Sequence, residues 1–483
     1  MFTRVLCLCA LVSSPALALS YPGFFLRTPS REPHRSYREE EVGAKLILTS
    51  YIEAGRIEEA RNLSRVTGGV FPADIPSYSG FLTVDRAYDS NLFFWFFPAE
   101  LAQQSAPVLL WLQGGPGASS MYSLFEETGP FSVSADGAAL DRNPYSWHKN
   151  HSVVYIDSPV GTGFSYTRNS SGYATNEVEV GRNLYNALLQ FFTMFPELQK
   201  NDFFITGESY AGKYIPALGH TIHKNNPNAS LKINLKGLAI GDGFVDPLNM
   251  MRYSDLVYQW GLVDNNTWAK MQGYEKWAAT YIENEDYLLA AQMMDDDLAV
   301  FQYASDLSVY NVLENNSNTE YTFASFLQQA RVRAAIHVGT QRYFVLSDLA
   351  YSHLHGDLMR STRPWVEQLL DSGYRVVFFN GQLDVICGYP LTVKVVEALR
   401  FNSAEQYRRA HRVAWRVGGR VAGYARSAGN MTEVLVRGAG HMVAKDQPAA
   451  AFDLIYRITR NQLPRPRSSR ARGPRNTSVP GDM

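Results

Sequence analysis

One run of residues constrains this chain more than any other: Phe203-Phe204-Ile205-Thr206-Gly207-Glu208-Ser209-Tyr210-Ala211-Gly212-Lys213-Tyr214. Apolar and β-branched residues lead into Gly207-x-Ser209-x-Ala211, with Gly212 one place later, and helix-forming residues follow. A turn that lifts a serine off the end of a strand and onto a helix N-terminus is crowded, so its flanking positions must be small. The pattern predicts strand, sharp turn and helix, with Ser209 exposed at the turn as a nucleophile.

A serine nucleophile needs a base, and the base needs an acid to orient it. In α/β-hydrolases these follow in the order Ser, acid, His. Asp384 lies just past the apolar run Arg375–Asn380, and His441 just past Glu433–Arg437, so both are expected at the C-terminal edge of one sheet. His148 and His151 sit among polar residues and are expected in solvent. A second glycine-rich segment, Gln113-Gly114-Gly115-Pro116-Gly117-Ala118, follows the strand-like Val108–Leu112. Glycines there leave backbone N–H groups free to face an oxyanion.

The rest of the chain supplies a scaffold for these loops. Strand-like runs are predicted at Phe81–Val84, Leu92–Phe97, Val108–Leu112, Val153–Ile156, Phe203–Thr206, Leu238–Ile240, Arg375–Asn380 and Glu433–Arg437. Helices are predicted over Tyr51–Val66, Glu177–Phe195, from Tyr210, and over Gln447–Arg460. Apolar strands alternating with helices predict an α/β fold. Its sheet is mixed and mostly parallel, covered by helices on both faces, with an antiparallel start. The expected division is a signal peptide at 1–18, an N-terminal arm and helix at 19–79 and a first core part at 80–245. A helical, acidic cap insertion at 246–333, a second core part at 334–461 and a basic disordered tail at 462–483 complete it.

The leader, MFTRVLCLCALVSSPALALS, has Arg4 before an apolar run and Ala16-Leu17-Ala18 as a small-x-small cleavage site. Cys7 and Cys9 lie within it, leaving Cys387 alone in the mature chain. That excludes an intrachain disulfide scaffold and a Cys-rich metal site, and there is no His-Glu-x-x-His. No metal and no cofactor are expected. Sequons begin at Asn62, Asn150, Asn169, Asn228, Asn265, Asn315, Asn430 and Asn476, as befits a glycosylated chain of the secretory pathway, lysosomal, endosomal or secreted. The 45 basic and 46 acidic residues leave a net charge of −1, which gives no electrostatic case for a nucleic-acid partner. Leu92–Pro98 is too short for a membrane span and reads as a buried strand.

Taken in order, WLQGGPGASS at 111–120, Phe125–Pro130, NPYSW at 143–147, IDSPVGTGFSY at 156–166, TGESYAGKY, NGQLD and GAGHMVAKDQP resemble the serine carboxypeptidase family over most of the mature chain. The Gln113 variant, NLFFWFFPAE at 91–100 and Ile240-Gly241-Asp242-Gly243 look most like its vitellogenic-like members, with the retinoid-inducible type the nearest competitor. The resemblance implies an α/β-hydrolase fold and a triad of Ser209, Asp384 and His441. It implies an oxyanion hole from the N–H groups of Gly115 and Tyr210. It also implies that Gln113, Gly114, Glu127 and Glu208 hold the free C-terminal carboxylate of a peptide or protein substrate. Two glutamates beside a third carboxylate must share protons, so activity is expected at acidic pH. How the triad histidine remains a base in acid is not visible in the sequence.

Three residues depart from the family pattern. Gln113 stands for Asn, Ala118 for a bridged Cys, and Ala444 for the Pro of GHMVP. Without that bridge the loop around Ala118 needs other support. Cys387 matches a cysteine that commonly stays reduced, and reads here as a small buried apolar side chain. The implied activity is release of single C-terminal residues through an acyl-enzyme on Ser209. The alternatives are an esterase, amidase or acyltransferase on the same scaffold, since fold and triad do not separate these, and a non-catalytic binding or protective protein with a retained triad.

Overall fold

The structure is a computed structural model and describes residues 36–316 and 321–464. The leader at 1–18, the tail from 465 and Asn476 lie outside the described residues. Among the described residues, twelve strands form in chain order: β1 (Tyr78–Asp85), β2 (Ser90–Phe97), β3 (Val108–Leu112), β4 (Phe131–Val133), β5 (Leu140–Arg142) and β6 (Ser152–Ile156). They continue with β7 (Phe203–Glu208), β8 (Leu235–Gly241), β9 (Arg375–Gly381), β10 (Val413–Val417), β11 (Arg420–Ala428) and β12 (Met431–Val436). Ten make one sheet in the order β1-β2-β6-β3-β7-β8-β9-β12-β11-β10, while β4 and β5 pair separately. The six central strands from β6 to β12 run parallel, and the pairs at either side are antiparallel. This is the α/β-hydrolase sheet expected from the sequence.

The central strands are apolar throughout because both faces of the sheet are buried. Successive side chains point to opposite faces. Val108, Leu110 and Leu112 of β3 enter one core, and Leu109 and Trp111 the other. Phe94 and Phe96 of β2 join the first, and Phe93, Trp95 and Phe97 the second. On the first face lie the helices Glu177–Met194 and Ala211–Asn225, which pack on each other. Val180, Leu184, Leu188 and Phe191 recur at helical spacing on the buried side of the former. Asn176 caps its start by accepting a hydrogen bond from the Glu179 N–H at 3.1 Å.

Two expectations need correction. The helix over Tyr51–Val66 is two helices, Thr49–Glu53 and Ile57–Ser64, with Gly55 between them at φ +72°. That left-handed backbone ends the first helix. The hairpin β10–β11, turning at Gly418 and Gly419, is absent from the predicted strands. These strands close one side of the sheet, and β10 carries exposed Ala414 and Arg416 between partly and fully buried neighbours, so its apolar signal is weak. Between β8 and β9 the described residues are mostly helical. The longest of these helices, Asn265–Glu283 and Tyr287–Ser305, pack against each other.

The helix after the serine turn is tied down by a buried charge. The Lys213 ammonium is fully buried. It donates to the Asp357 carbonyl, to the Leu358 carbonyl at 3.1 Å and to Asp357 Oδ2 at 3.3 Å. Glu177 is buried beside this group and beside Tyr210, and burial lifts its carboxyl to about 8. Ionising Glu177 would add a buried anion beside Asp357, whose cationic partners are already Lys213 at 3.3 Å and Arg360 at 3.6 Å.

Two predictions follow from the core. Cys387 is buried and free, so adding a reductant should move the melting temperature by less than about 1 °C; a larger fall would reveal a stabilising bridge. A carboxyl raised on folding stabilises fully below its unfolded value and loses that contribution as pH rises through its folded value. Denaturant titrations at about pH 6.5 and about pH 8.5 should therefore show wild type losing about 1–2 kcal/mol more than Glu177→Gln over that interval. Equal losses in the two proteins would mean that Glu177 is ionised throughout.

Candidate active site

The register of the parallel strands brings the end of each to one edge. Leu112 pairs with Gly207, Glu208 with Gly241, Gly241 with Phe379, and Gly381 with Val436. The residues that follow these strands are therefore neighbours: Gln113–Gly115 after β3, Ser209 after β7, Asp242 after β8, Asp384 after β9 and His441 after β12.

Ser209 sits between β7 and its helix at φ +64°, a left-handed conformation that non-glycine residues seldom adopt. Its own backbone holds it there. The Ser209 N–H donates to Gly241 O at 3.0 Å, and its carbonyl accepts from the N–H groups of Gly212 at 2.9 Å and Phe244 at 3.0 Å. A Cβ on Gly207 would overlap the Leu112 carbonyl, and one on Gly212 would come within 2.6 Å of Phe244 N. This close approach is the physical reason for the small residues flanking the serine.

His441 and Asp384 are brought together as expected. His441 Nδ1 lies 2.9 Å from Asp384 Oδ2, with both side chains buried. Burial alone would lower the imidazole's basicity, but the Asp384 charge and hydrogen bond raise it above the ordinary value. Its Nε2 is buried and meets no partner among the described residues, so it is free for a proton from a nucleophile. The His441 N–H donates to Tyr310 O at 2.7 Å, and the Tyr310 ring lies 5.3 Å from the imidazole. Tyr310 is a site residue that sequence reasoning missed, for it belongs to no recognisable motif.

Gly114 and Gly115 pass directly over the serine turn. A Cβ on Gly114 would lie 2.5 Å from both Ser209 Cβ and Tyr210 N. The N–H groups of Gly115 and Tyr210 make no hydrogen bond among the described residues. The loop that carries Gly115 lacks a disulfide at Ala118 and is laced down by other means. The Ser119 N–H donates to Val345 O, and the Ser347 N–H to Gly117 O, both at 2.9 Å. Asp157 Oδ1 accepts from Ser119 Oγ at 2.7 Å and from the Ser120 N–H at 2.9 Å.

Gln113, Glu127 and Glu208 are all buried next to this turn. Gln113 Nε2 donates to Glu208 Oε1 at 2.8 Å, and its own Oε1 accepts from Trp111 Nε1 at 3.1 Å. The longer side chain of Gln113 is thus held at both ends. Neither oxygen of Glu127 meets a donor among the described residues. Burial first, and then the Glu208 charge, raises Glu127 well above the usual carboxylate range. Burial raises Glu208 as well, opposed by His441 and Gln113.

Several other residues are placed differently from expectation or in a new light. His148 and His151 are buried, not solvated. His148 Nδ1 lies 2.7 Å from Ser146 Oγ, and His151 bridges Trp147 O at 3.1 Å and Thr459 Oγ1 at 2.9 Å. Burial depresses them to about 4 and about 3. Small polar neighbours gave them a surface appearance in sequence while supplying their hydrogen bonds in the interior. Cys387 is fully buried near Asp384, and burial pushes its thiol well up, so it packs as an apolar group. Asp242, read in sequence only as part of a motif, is fully buried within 4.8 Å of Asp384 and His441. Of the sequons, Asn62, Asn169, Asn228, Asn265, Asn315 and Asn430 are exposed and Asn150 is half-buried. No helix among the described residues is long and apolar enough to cross a membrane.

Comparisons with known proteins agree with this geometry. The family model described as serine carboxypeptidase, Peptidase_S10, matches residues 68–461. The chain is 47% identical over 435 residues to the venom serine carboxypeptidase of Apis mellifera, covering 88% of this chain and 92% of that one. It is 45% identical to the vitellogenic carboxypeptidase of Aedes aegypti, over 87% of this chain and 91% of that one. It is 43% identical to the probable serine carboxypeptidase CPVL of Homo sapiens, over 86% and 90%. Among solved structures, the prohormone-processing carboxypeptidase Kex1(delta)p from Saccharomyces cerevisiae superposes with a TM-score of 0.75 at 22% identity, covering 83% of this chain and 96% of that one, and shares the fold. A sheet edge that gathers an elbow serine, a histidine–aspartate pair and two buried glutamates thus has its relatives in one place, and the chain belongs to the serine carboxypeptidase family.

Proposed function

We propose that Ser209 is the nucleophile of this serine carboxypeptidase, His441 its general base and Asp384 the acid that orients the imidazole. His441 Nε2 takes the Ser209 proton as Oγ attacks the last peptide carbonyl. The N–H groups of Gly115 and Tyr210 stabilise the oxyanion. His441 then gives the proton to the departing amino acid, leaving an acyl-enzyme on Ser209 that water hydrolyses by the same route.

What restricts the reaction to chain ends is the carboxylate site, and one observation carries that reading. Glu127 and Glu208 are buried together, immediately beside the nucleophile, with Gln113 bonded to Glu208. An ester or an internal amide bond offers no charge that would use such a pair. A substrate carboxylate does, provided a glutamic acid keeps its proton and donates it. Gln113 and the Gly114 backbone complete the site. Because both glutamates are raised, the protonated form persists in mild acid. As pH rises through their folded values they ionise and repel the substrate carboxylate. Binding weakens, KM rises, and activity falls toward alkaline pH.

The setting fits an acidic compartment of the secretory pathway, lysosomal or endosomal, or secretion. The leader at 1–18 and the exposed sequons support this, and the Apis mellifera relative is named as a venom protein. The helical stretch at 246–333 is the segment that would cap the cleft and shape side-chain preference.

Hydrolysis of a blocked dipeptide and of its C-terminal amide should be followed from about pH 4 to about pH 8. The free acid should be favoured by about 100-fold in kcat/KM at the acid end, with KM rising as pH increases. Ser209→Ala should lose on the order of 10⁴-fold or more. Equal rates on acid and amide would replace the carboxypeptidase reading with an esterase or amidase. A wild-type Ser209 that resists a fluorophosphonate would favour a non-catalytic binding protein.

A further inference from the structure

An acid-active serine hydrolase faces a contradiction. Its histidine must be neutral to act as a base, yet a buried aspartate beside it makes the imidazole hold its proton more tightly. Here Asp384 raises His441 above its ordinary value. The edge of the sheet contains a group that bears on this.

Asp242 follows β8 directly, next to β9, whose following loop bears Asp384. Two backbone contacts fix it. Its N–H donates to Phe379 O at 2.8 Å, and its Oδ1 accepts from the Gly381 N–H at 2.9 Å. Its Oδ2 is buried and has no hydrogen-bond partner among the described residues, and one of its carboxylate oxygens lies within 4.8 Å of a carboxylate oxygen of Asp384. Asp384 already accepts from His441 Nδ1 at 2.9 Å and from the Cys387 N–H at 3.2 Å. Further titratable groups lie around this pair: Glu208 at the end of β7, Cys387 after β9, His441 after β12, Asp446 beside His441, and the phenols of Tyr253 and Tyr310 near Asp384. Of these His441 alone is basic. Two fully buried carboxyls, a third nearby and one imidazole cannot all carry charge, so a proton must stay in the cluster. Asp242 Oδ2 is the oxygen without a partner among the described residues and the Asp384 carboxylate is close by, which makes it the place for that proton.

We propose that Asp242 is a positioning residue that keeps its proton and donates it in a hydrogen bond to Asp384, weakening Asp384's hold on the His441 proton so that His441 serves as a base in acid. The direction of Asp242 agrees: burial first, and the Asp384 charge second, lift it well above the usual range. The hydrogen bond spreads part of the Asp384 charge away from the imidazole without removing the Nδ1 contact that orients it. This inference rests on the proposed triad and adds a fourth member behind it.

The test uses two substitutions matched to the backbone. Asp242 has φ +39°, which Asn and Gly both tolerate. In Asp242→Asn the amide oxygen still accepts from Gly381 and the amide N–H₂ still donates to Asp384, with no titration. Asp242→Gly deletes the donor. The rate of fluorophosphonate labelling of Ser209, which needs His441 but no substrate carboxylate, is measured against pH beside kcat/KM on the blocked dipeptide. Wild type and Asp242→Asn should share one acid limb. Asp242→Gly should shift that limb upward by about half a pH unit or more, a loss of about threefold at its foot, and recover toward neutral pH. A purely structural role would lower the amount of folded protein without moving the limb. An unshifted Asp242→Gly limb, or an Asp242→Asn limb shifted as far as the Gly limb, overturns the proposal while leaving the triad intact. Absence of labelling in wild type would instead overturn the triad on which it rests.

Discussion

The in-register pairing of the parallel strands is the constraint on which the rest of the molecule depends. Each of β3, β7, β8, β9 and β12 stops at nearly the same height. A slip of one residue would turn every side chain of a strand to the opposite face. Here that would exchange Leu110 for Trp111 between two different cores. The apolar packing on both faces therefore fixes the register, and the register fixes which loop tips meet. The chemistry is placed by hydrophobic burial far from the reacting atoms, and the strained turn at Ser209 is held by its immediate backbone neighbours.

The second theme is protons. Buried carboxyls outnumber buried cations around the site. Among the described residues, Glu127, Glu208 and Asp242 are buried near His441, with Lys445 a further cation acting on Glu127, and Glu177 lies behind the elbow with Lys213. Burying a charge without a partner is costly, and the usual escape is to hold a proton. The same escape converts acceptors into donors. At Glu127 and Glu208 the proposed donor would meet a substrate carboxylate, and at Asp242 it would meet Asp384. Glu177, remote from the substrate, bears on stability. A single physical rule thus acts on binding, on the base and on the fold.

What was legible in the sequence was what is buried on two sides or crowded at a turn. All eight predicted strands form, because continuous apolar runs such as Leu92–Phe97 have one structural use in a sheet covered on both faces. The elbow was legible because Gly207 and Gly212 have nowhere to put a Cβ. The β10–β11 hairpin was not, since a strand with one wet face and a charged Arg416 looks like a loop. His148 and His151 misled because polar neighbours mark solvent and hydrogen-bonded interior alike. Glu127 was recognisable only by family likeness, and Asp242 only as a piece of motif. Glu127 matters through Glu208, 81 positions on, and Asp242 through Asp384, 142 positions on, proximities that no local pattern records.

The lacing of the loop at Gly117–Ser119 to Val345 and Ser347 has a consequence for the order of events in synthesis. These partners lie about 230 residues apart, a long loop to close during folding. The segment bearing Ser209 leaves the ribosome well before its lace, its acid and its histidine. Until the second half of the chain docks, the loop at Gly117–Ser119 lacks its partners Val345 and Ser347, and Ser209 lacks His441. On the proposed triad, a newly made chain therefore carries Ser209 through the rest of its synthesis without the base that would activate it.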